Sequence, residues 1–141
     1  MTNKINAFKG NLNMTNKFYI LVGTLLFVFS TLVNAGANVS FSEDAVKSRT
    51  GNTFTLDVMM SDFPTTEGGG LVVNFDPALL QVNNVMVDSK TWSFVNTDGD
   101  INNTGGTISD ILFSSYQGVT GNAKIATIEF EAISKGRGAI T

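Results

Sequence analysis

Hydrophobic and polar residues alternate along two stretches of the chain. Every second residue is apolar from Thr53 to Ser61 (TFTLDVMMS), and the same period returns from Thr127 to Ile133. Alternation with a period of two predicts strands with one buried and one solvated side. In the second stretch Glu129 and Glu131 occupy the solvated side. The residues predicted to point inward are Phe54, Leu56, Val58, Met60, Ile128, Phe130 and Ala132.

Shorter apolar stretches predict further strands. Leu71–Phe75 (LVVNF) is the most apolar of them and predicts a more central strand, with Phe75 in the core. Three other strands are predicted at Val82–Val87, Trp92–Val95 and Ile108–Phe113. No window after residue 35 sustains a helical period long enough for more than one turn.

Turn-forming residues separate the predicted strands. Proline cannot continue a ladder, so Asp76-Pro77 ends one strand, and the Asp76 side chain is expected to accept hydrogen bonds from its own backbone. Seven or eight short strands at this spacing predict an all-β fold, a β-sandwich or jelly roll. The other predicted turns lie at Ser61–Pro64, Glu67–Gly70, Asp98–Asp100, Gly105–Gly106, Gly118 and Gly121.

The first 35 residues have the pattern of a secretory signal peptide. Phe18–Val33 is apolar and uncharged, Lys17 precedes it, and Val33-Asn34-Ala35 supplies small residues at a cleavage site. We expect cleavage after Ala35, with Met14 as a possible natural start, which leaves residues 36–141 as one exported domain. The alternative is an uncleaved anchor, although the apolar stretch is shorter than the ~20 residues of a typical span.

The composition excludes many kinds of chemistry. The chain has no Cys and no His, which removes disulfides, thiolate nucleophiles, imidazole bases and the usual zinc ligands. Its net charge is −3, and because residues 1–35 contain three lysines and no acid, residues 36–141 carry −6. This charge argues against a nucleic-acid partner, and no cofactor is predicted. Glu129 and Glu131 could satisfy the spacing of glycosidase acids, but nothing predicts a cleft around them, so no enzyme is predicted.

Three segments, in this order, resemble the bacterial cohesin module of cellulosome scaffolds. They are Gly51–Val58 (GNTFTLDV), Leu71–Val82 (LVVNFDPALLQV) and Gly118–Phe130 (GVTGNAKIATIEF), and the resemblance covers about residues 38–141. It implies a jelly roll of about nine strands that is non-catalytic and extracellular or attached to the cell surface. It also implies binding of a dockerin-like protein module or, less often, of polysaccharide.

The sequence differs from that family at two places. Gly138–Thr141 is similar to the opening of the family's last strand, so we expect this strand to be truncated. Gly68 and Gly70 stand where the best-known cohesins carry polar side chains that contact dockerin. We expect the contact surface near Gly68–Asn74 and Asn96–Thr104. The predicted partner-binding residues are Gly70, Val72, Asn74, Asp98 and Asp100.

Two other kinds of binding site have weaker patterns. Asp98, Asp100 and Asn102 place oxygens at alternate positions, as Ca²⁺ requires, but the rest of a calcium loop is absent and the same residues are ordinary in hairpins. Trp92 and Tyr116 are candidates for stacking on sugar rings, although Trp92 is predicted to share a core-facing side with Phe94. The alternatives to a cohesin-like module are therefore a carbohydrate-binding domain and a structural module without a ligand.

Overall fold

A computed structural model describes residues 36–94 and 96–141, which form five strands and no helix. The all-β fold class predicted from the sequence is confirmed. The predicted signal peptide, with Met14 and the cleavage site after Ala35, lies outside the described residues. The described part of the chain has no helix that is long and apolar enough to cross a membrane. The strands are β1 (Asn38–Phe41), β2 (Thr53–Asn74), β3 (Leu80–Val87), β4 (Thr97–Asn102) and β5 (Thr107–Ala132).

The two long strands, β2 and β5, run antiparallel along their whole lengths and organise the fold. Their pairing begins at Thr53 opposite Glu131 and ends at Asn74 opposite Thr107. The first half of the sheet comprises β1, β2 up to residue 60, β5 from residue 123, and β3, in the order β1-β2-β5-β3. The second half comprises β2 from residue 68, β5 up to residue 116, and β4, which pairs with β5.

Irregular backbone separates the two halves. Asp62 has a φ of 56°, and Gly118 and Gly121 have φ values of 68° and 79°. The β2–β5 register shifts repeatedly between Met60 and Gly68. Bulges of this kind bend a strand without ending it. The predicted turns at residues 61–64 and 67–70 therefore lie inside β2, and the described residues contain five strands instead of about nine.

One apolar core joins the two halves. The Phe130 ring of the first half stacks on Phe54, with 5.6 Å between ring centroids, and meets the edge of Phe75 from the second half at 5.9 Å. The inward residues predicted from the period of two are buried, with the exception of Phe54, which is half-buried against the core. This arrangement is a β-sandwich, as predicted. The fully buried large side chains are Trp92, Phe130, Met60, Ile108, Ile111, Ile125 and Ile128.

Two predicted local structures are wrong. The Trp92–Val95 segment is not a strand over its described residues, because Trp92 and Ser93 lie outside any ladder and Phe94 is at a bend. The predicted turn at Asp98–Asp100 lies instead within the strand β4, which pairs with β5 from Thr97 opposite Leu112 to Asn102 opposite Thr107. Only residues 103–106 turn, between β4 and β5. Val95 lies outside the described residues.

The last residues pair with the end of β2. Ile140 forms a bridge with Phe75, and Asn74 and Thr141 exchange backbone hydrogen bonds of 2.7 and 3.0 Å. Gly138–Thr141 therefore begins a strand-like pairing, as the family resemblance implied. Asp76 closes the turn after β2: its Oδ1 accepts the N–H of Ala78 at 2.9 Å, as predicted.

Candidate functional site: the outer face of the second half

On the outer face of the second half of the sheet, alternate residues of β5 form a row in which Leu112 and Tyr116 are exposed apolar side chains and Ser114 between them is half-buried. Along β5, Ile111, Phe113 and Ser115 are buried, while the alternate residues Leu112 and Tyr116 are 42% and 77% exposed. Leu112 pairs with Gly70 of β2 on one side and with Thr97 of β4 on the other. This row is therefore the accessible centre of a three-stranded surface.

Glycines in β2 keep this surface shallow. A Cβ atom added at Gly70 would lie 3.0 Å from Leu112 Cδ2, and one at Gly68 would lie 2.9 Å from Ser114 Cβ. Both glycines therefore face the row on β5 and leave its side chains open from the β2 side. Val72, two residues beyond Gly70, is 58% exposed. A partner can approach β5 closely here because the neighbouring strand carries no side chain at these two positions.

An exposed aromatic pair lies at one end of the row. Residues 115–118 of β5 form a bulge that is not paired with β2, since Thr66 pairs with Val119 and Gly68 already pairs with Ser114. Tyr116 projects from this bulge and contacts Phe94, with 3.8 Å between ring centroids and 45° between ring planes. Phe94 is itself 51% exposed.

The segment that carries Phe94 is fixed to β5 by hydrogen bonds. The N–H of Phe94 donates to the carbonyl of Ser114 at 3.1 Å. The Asn96 amide donates through Nδ2 to the carbonyl of Trp92, and its Oδ1 accepts the N–H of Ser114 at 3.4 Å. The aromatic pair is therefore exposed but held in place.

The opposite end of the row is acidic. Asp110 is exposed, has a φ of 55°, and lies at a bulge where the β2–β5 register shifts. Asp100 is exposed on β4 and pairs with Ser109. The sequences of β4, of β5 between residues 107 and 116, and of β2 between residues 68 and 74 contain no lysine or arginine. The three strands of this face therefore supply no positive charge to balance Asp100 and Asp110.

The structure brings together only some of the predicted partner-binding residues. Gly70, Val72 and Asn74 lie along β2 on the second half, and Asn74 also pairs its backbone with Thr141. Asp100 is exposed on the neighbouring β4. Asp98 has a different role, because its Oδ1 accepts the N–H of Val87 on β3 at 2.7 Å and so connects β4 to the first half. Contact with a partner stays a prediction for these residues.

The three calcium candidates do not converge on a common point. The carboxylate of Asp98 binds Val87, and Oδ1 of Asn102 accepts the N–H of Gly105 at 2.7 Å. The segment is the strand β4 and not a loop, and calcium binding by these residues stays a prediction. Among the described residues, no group of three or more acidic side chains could hold a metal ion.

Trp92 cannot stack on a sugar, which corrects that prediction. Its side chain is fully buried, packs against Phe113 with 4.5 Å between ring centroids, and donates from Nε1 to the carbonyl of Lys124. Tyr116, the other stacking candidate, is the most exposed large hydrophobic side chain of the described residues. Sequence reasoning missed Phe94, because it treated residues 92–95 as a strand, and Leu112, although the period of two along β5 could have identified it.

The outer face of the first half is polar and satisfied by its own hydrogen bonds. The Gln81 amide donates to Glu131 Oε2 at 3.1 Å, and the Asn83 amide donates to both Glu129 and Glu131 at 3.4 Å. Thr127 donates to Asp57 at 2.5 Å, and Lys124 lies 3.6 Å from the same carboxylate. These acids are therefore engaged with amides and hydroxyls of the neighbouring strands.

An apolar crevice of about 250 Å³ lies on the inner side of the β2 glycines. Its lining contains almost no polar groups that could orient a ligand. The crevice therefore lacks the polar groups that would recognise a specific ligand. The residues that line it include Met60, Phe63, Gly69, Leu71, Phe113 and Ile125.

Comparison with known proteins identifies a family and a fold. A family model described as the cohesin domain matches residues 39–141. No curated protein matches the chain. Among solved structures, the chain is similar to a type I cohesin–dockerin complex, Coh-OlpA-Doc918 from Clostridium thermocellum (15% identity, TM-score 0.61, 74% of this chain and 80% of that chain covered).

Two further structures give the same picture. The CaDoc0917–CaCohA2 complex is 20% identical with a TM-score of 0.57, and the alignment covers 74% of this chain and 79% of that chain. The sixth cohesin of Acetivibrio cellulolyticus scaffoldin B, in complex with a mutant Cel5 dockerin, is 16% identical with a TM-score of 0.53 and coverages of 75% and 82%. At these identities the likeness shows the fold.

Proposed function

This chain belongs to the cohesin family, and from that membership we propose that it is a non-catalytic module that binds a dockerin-like protein. The proposed contact surface is the outer face of the second half of the sheet. The observation that carries the proposal is the exposure of Val72, Leu112 and Tyr116 on that face, beside the glycines of β2. Contiguous apolar surface on a soluble domain is typical of a protein interface.

Two further observations support a protein partner. The similar solved structures are described as complexes with dockerins. The face is also built on paired strands and not on long loops, so little conformational freedom would be lost on binding. A rigid, shallow surface suits a partner that brings its own projecting side chains.

Binding to purified dockerins tests this function. We expect at least one module of a panel of type I and type II dockerins to bind the purified protein with a submicromolar Kd in calorimetry, since interfaces of standard size reach micromolar to picomolar affinity. A heat-denatured sample of the same dockerin serves as the unfolded control. Failure of every dockerin to bind at micromolar concentration would refute the proposed function.

The absence of catalysis is part of the proposal. Glu129 and Glu131 lie on the outer face of the first half, engaged with Gln81 and Asn83. Glycoside hydrolysis uses two carboxylates on either side of the scissile bond, whereas these two follow each other along one face of β5 and are held by amides of β3. Hydrolysis of soluble xylan or carboxymethyl-cellulose by the pure protein, lost in Glu129→Gln, would contradict this part.

Polysaccharide binding is the second candidate function, and the exposed Tyr116 is the observation that favours it. Its ring offers a face for sugar stacking, and Phe94 extends the apolar surface. With Trp92 buried, the platform is limited to this pair. Retention of the protein on microcrystalline cellulose or chitin, reduced in Tyr116→Ala, would establish it.

Export to the extracellular medium or cell surface completes the proposal. Residues 1–35 combine basic residues, an apolar stretch and small residues before the expected cleavage site. N-terminal sequencing of the protein recovered from the medium should begin at Gly36. A product that keeps the apolar stretch and sediments with membranes would instead indicate an anchor.

A further inference from the structure

We propose that the Phe94–Tyr116 pair is the apolar anchor for the dockerin-like partner, and that the partner places lysine or arginine over Asp100 and Asp110. This inference rests on the proposed function and specifies the chemistry of the partner surface. The surface it describes has an aromatic end and an acidic end, on the same row of β5. Its other occupants, a polysaccharide above all, are outcomes of the test.

The aromatic end has the properties of an interface anchor. Tyrosine and other aromatics are enriched among the residues that dominate binding energy, because they bury a large area at a small cost in side-chain entropy. Tyr116 is 77% exposed and Phe94 51% exposed, so both still have most of their contact area available. The rings contact each other, and the segment of Phe94 is hydrogen-bonded to Ser114, so the pair is already ordered before a partner arrives.

The acidic end determines the charge of the partner. Asp100 and Asp110 are exposed, and the strands that form the face contribute no lysine or arginine. Lys124 is the one basic residue of β2 and β5, and it lies on the first half, paired with Asp57. A partner surface with positive charge is therefore favoured through complementarity, which acts mainly on the association rate and on specificity.

The two ends fit within one interface. Asp110 and Tyr116 are six positions apart on β5, which corresponds to about 20 Å of strand. A standard interface buries about 800 Å² on each partner and extends over a similar distance. The partner should thus carry an apolar side chain and, about 20 Å from it on the same surface, basic side chains.

Variants of the exposed residues test the anchor. For a dockerin that binds the wild-type protein, we expect Tyr116→Ala and Phe94→Ala each to raise Kd at least tenfold, mainly through faster dissociation. Met86→Ala is the matched control, because Met86 is 57% exposed but lies on β3 of the first half, and its Kd should stay within twofold. Unchanged circular dichroism and Tm of each variant exclude unfolding as the cause.

Protection from nitration gives a readout that needs no substitution. Tyr116 is the only tyrosine of residues 36–141, so its peptide can be followed by mass spectrometry after treatment with tetranitromethane. Bound dockerin should protect Tyr116, while an equal concentration of a non-binding dockerin should not. Equal nitration of Tyr116 with and without bound dockerin would overturn the anchor.

The charge part is tested by the double variant Asp100→Asn with Asp110→Asn. Asparagine tolerates the positive φ of residue 110, so the backbone should be preserved. We expect association with the dockerin to slow severalfold at low ionic strength and to lose most of its dependence on salt. An unchanged salt dependence would refute the charge complementarity.

The remaining outcomes separate this inference from the function on which it rests. If no dockerin binds the wild-type protein, the proposed function fails, and the inference fails with it. If a dockerin binds the wild-type protein and Tyr116→Ala equally, only the inference fails. If the wild-type protein binds cellulose and no dockerin, and Tyr116→Ala no longer binds cellulose, the aromatic pair is a sugar-binding platform. The proposed anchor for a protein partner is then refuted.

Discussion

The indole Nε1 of Trp92 donates a hydrogen bond of 3.0 Å to the backbone carbonyl of Lys124. Trp92 follows β3 in the chain, and Lys124 lies in the part of β5 that belongs to the first half of the sheet. The same indole packs against Phe113 in the second half of the sheet. Trp92 therefore attaches the segment between β3 and β4 to both halves of the core, which is a structural role.

Replacing Trp92 by alanine should destabilise the protein by about 3–5 kcal/mol, because the change leaves a large cavity and an unpaired carbonyl. Urea unfolding followed by circular dichroism measures the effect, since Trp92 is the chain's single tryptophan and its fluorescence is lost with it. Tyr116→Ala is the control for loss of an exposed ring and should change the free energy of unfolding by less than about 0.5 kcal/mol. Similar losses in both variants would contradict the structural role.

Asn103 should be a second point on which stability depends. Its side-chain Oδ1 accepts the N–H of Val82 at 2.7 Å, and its Nδ2 donates to the carbonyl of Val82 at 3.0 Å. The amide thus pairs with β3 in the way that a neighbouring strand would. Asn103→Ala leaves both backbone groups without this partner and should cost about 1–3 kcal/mol in chemical denaturation.

Two other variants show whether the Asn103 pairing itself is responsible. Asn103→Asp keeps the acceptor and loses the donor, so its loss of stability should be intermediate. Asn84→Ala, at an exposed position of β3, should be close to neutral. An Asn103→Ala protein as stable as Asn84→Ala would show that the edge of β3 does not need the amide.

Asp98 should stabilise the protein by its hydrogen bond to the same edge of β3, and not by binding calcium. Because Oδ1 of Asp98 accepts the N–H of Val87, Asp98→Ala should cost about 1–3 kcal/mol, whereas Asp98→Asn, which keeps an acceptor oxygen, should cost less. A ligand that binds only the folded state raises Tm, so Tm in millimolar CaCl₂ and in EDTA distinguishes the two roles. We expect equal Tm values; a higher Tm in calcium that Asp98→Asn abolishes would contradict this assignment.

The period of two was sufficient to predict which residues form the core of the first half. Leu56, Val58, Met60, Ile128 and Phe130 are all buried, because alternate side chains of a strand point to opposite faces and only one face is covered. This rule depends on local geometry alone. It therefore works wherever a strand is regular.

The same rule fails where the backbone is irregular. Pro64 and the glycines 68–70 are ordinary turn signals, but here they lie within a bulged strand whose pairing with β5 continues on both sides. Only the long-range partner decides between a turn and a bulge, and the local sequence does not contain that partner. The prediction that Phe94 lies in the core is wrong for a related reason. Alternation applies only to a strand in a ladder, whereas the segment of Phe94 is attached to β5 by single hydrogen bonds.

The candidate site was predictable in part. Gly70 and Val72 were placed on it because they belong to a strand near the family's contact region. The contrast between Asp98 and Asp100 was not predictable, since Gly99 between them has a φ of 95° and interrupts regular alternation. The hydrogen bond of Asp98 with Val87 follows from a tertiary contact that no local spacing encodes.

Gly68 and Gly70 provide the sharpest test of the glycine surface, because they lie on the same face of β2. A Cβ at Gly68 would overlap the backbone carbonyl of Phe113, which cannot move without disturbing the ladder, whereas the nearest atom to a Cβ at Gly70 is the end of the Leu112 side chain at 3.0 Å. Gly68→Ala should therefore destabilise the protein by about 1–3 kcal/mol, and Gly70→Ala by clearly less.

Thermal and urea unfolding of the two variants measure this difference, with Gly36→Ala as a neutral reference because a Cβ there meets no atom within 4 Å. Gly70→Ala should in addition cover part of Leu112 and so weaken dockerin binding although the protein loses little stability. The effects on stability and on binding are separated because Gly68 is required by the close approach of the β5 backbone, whereas Gly70 only keeps the surface open. Equal stability of Gly68→Ala and Gly70→Ala would mean that β5 yields at Phe113 and that the close approach of the two strands is not a constraint on the fold.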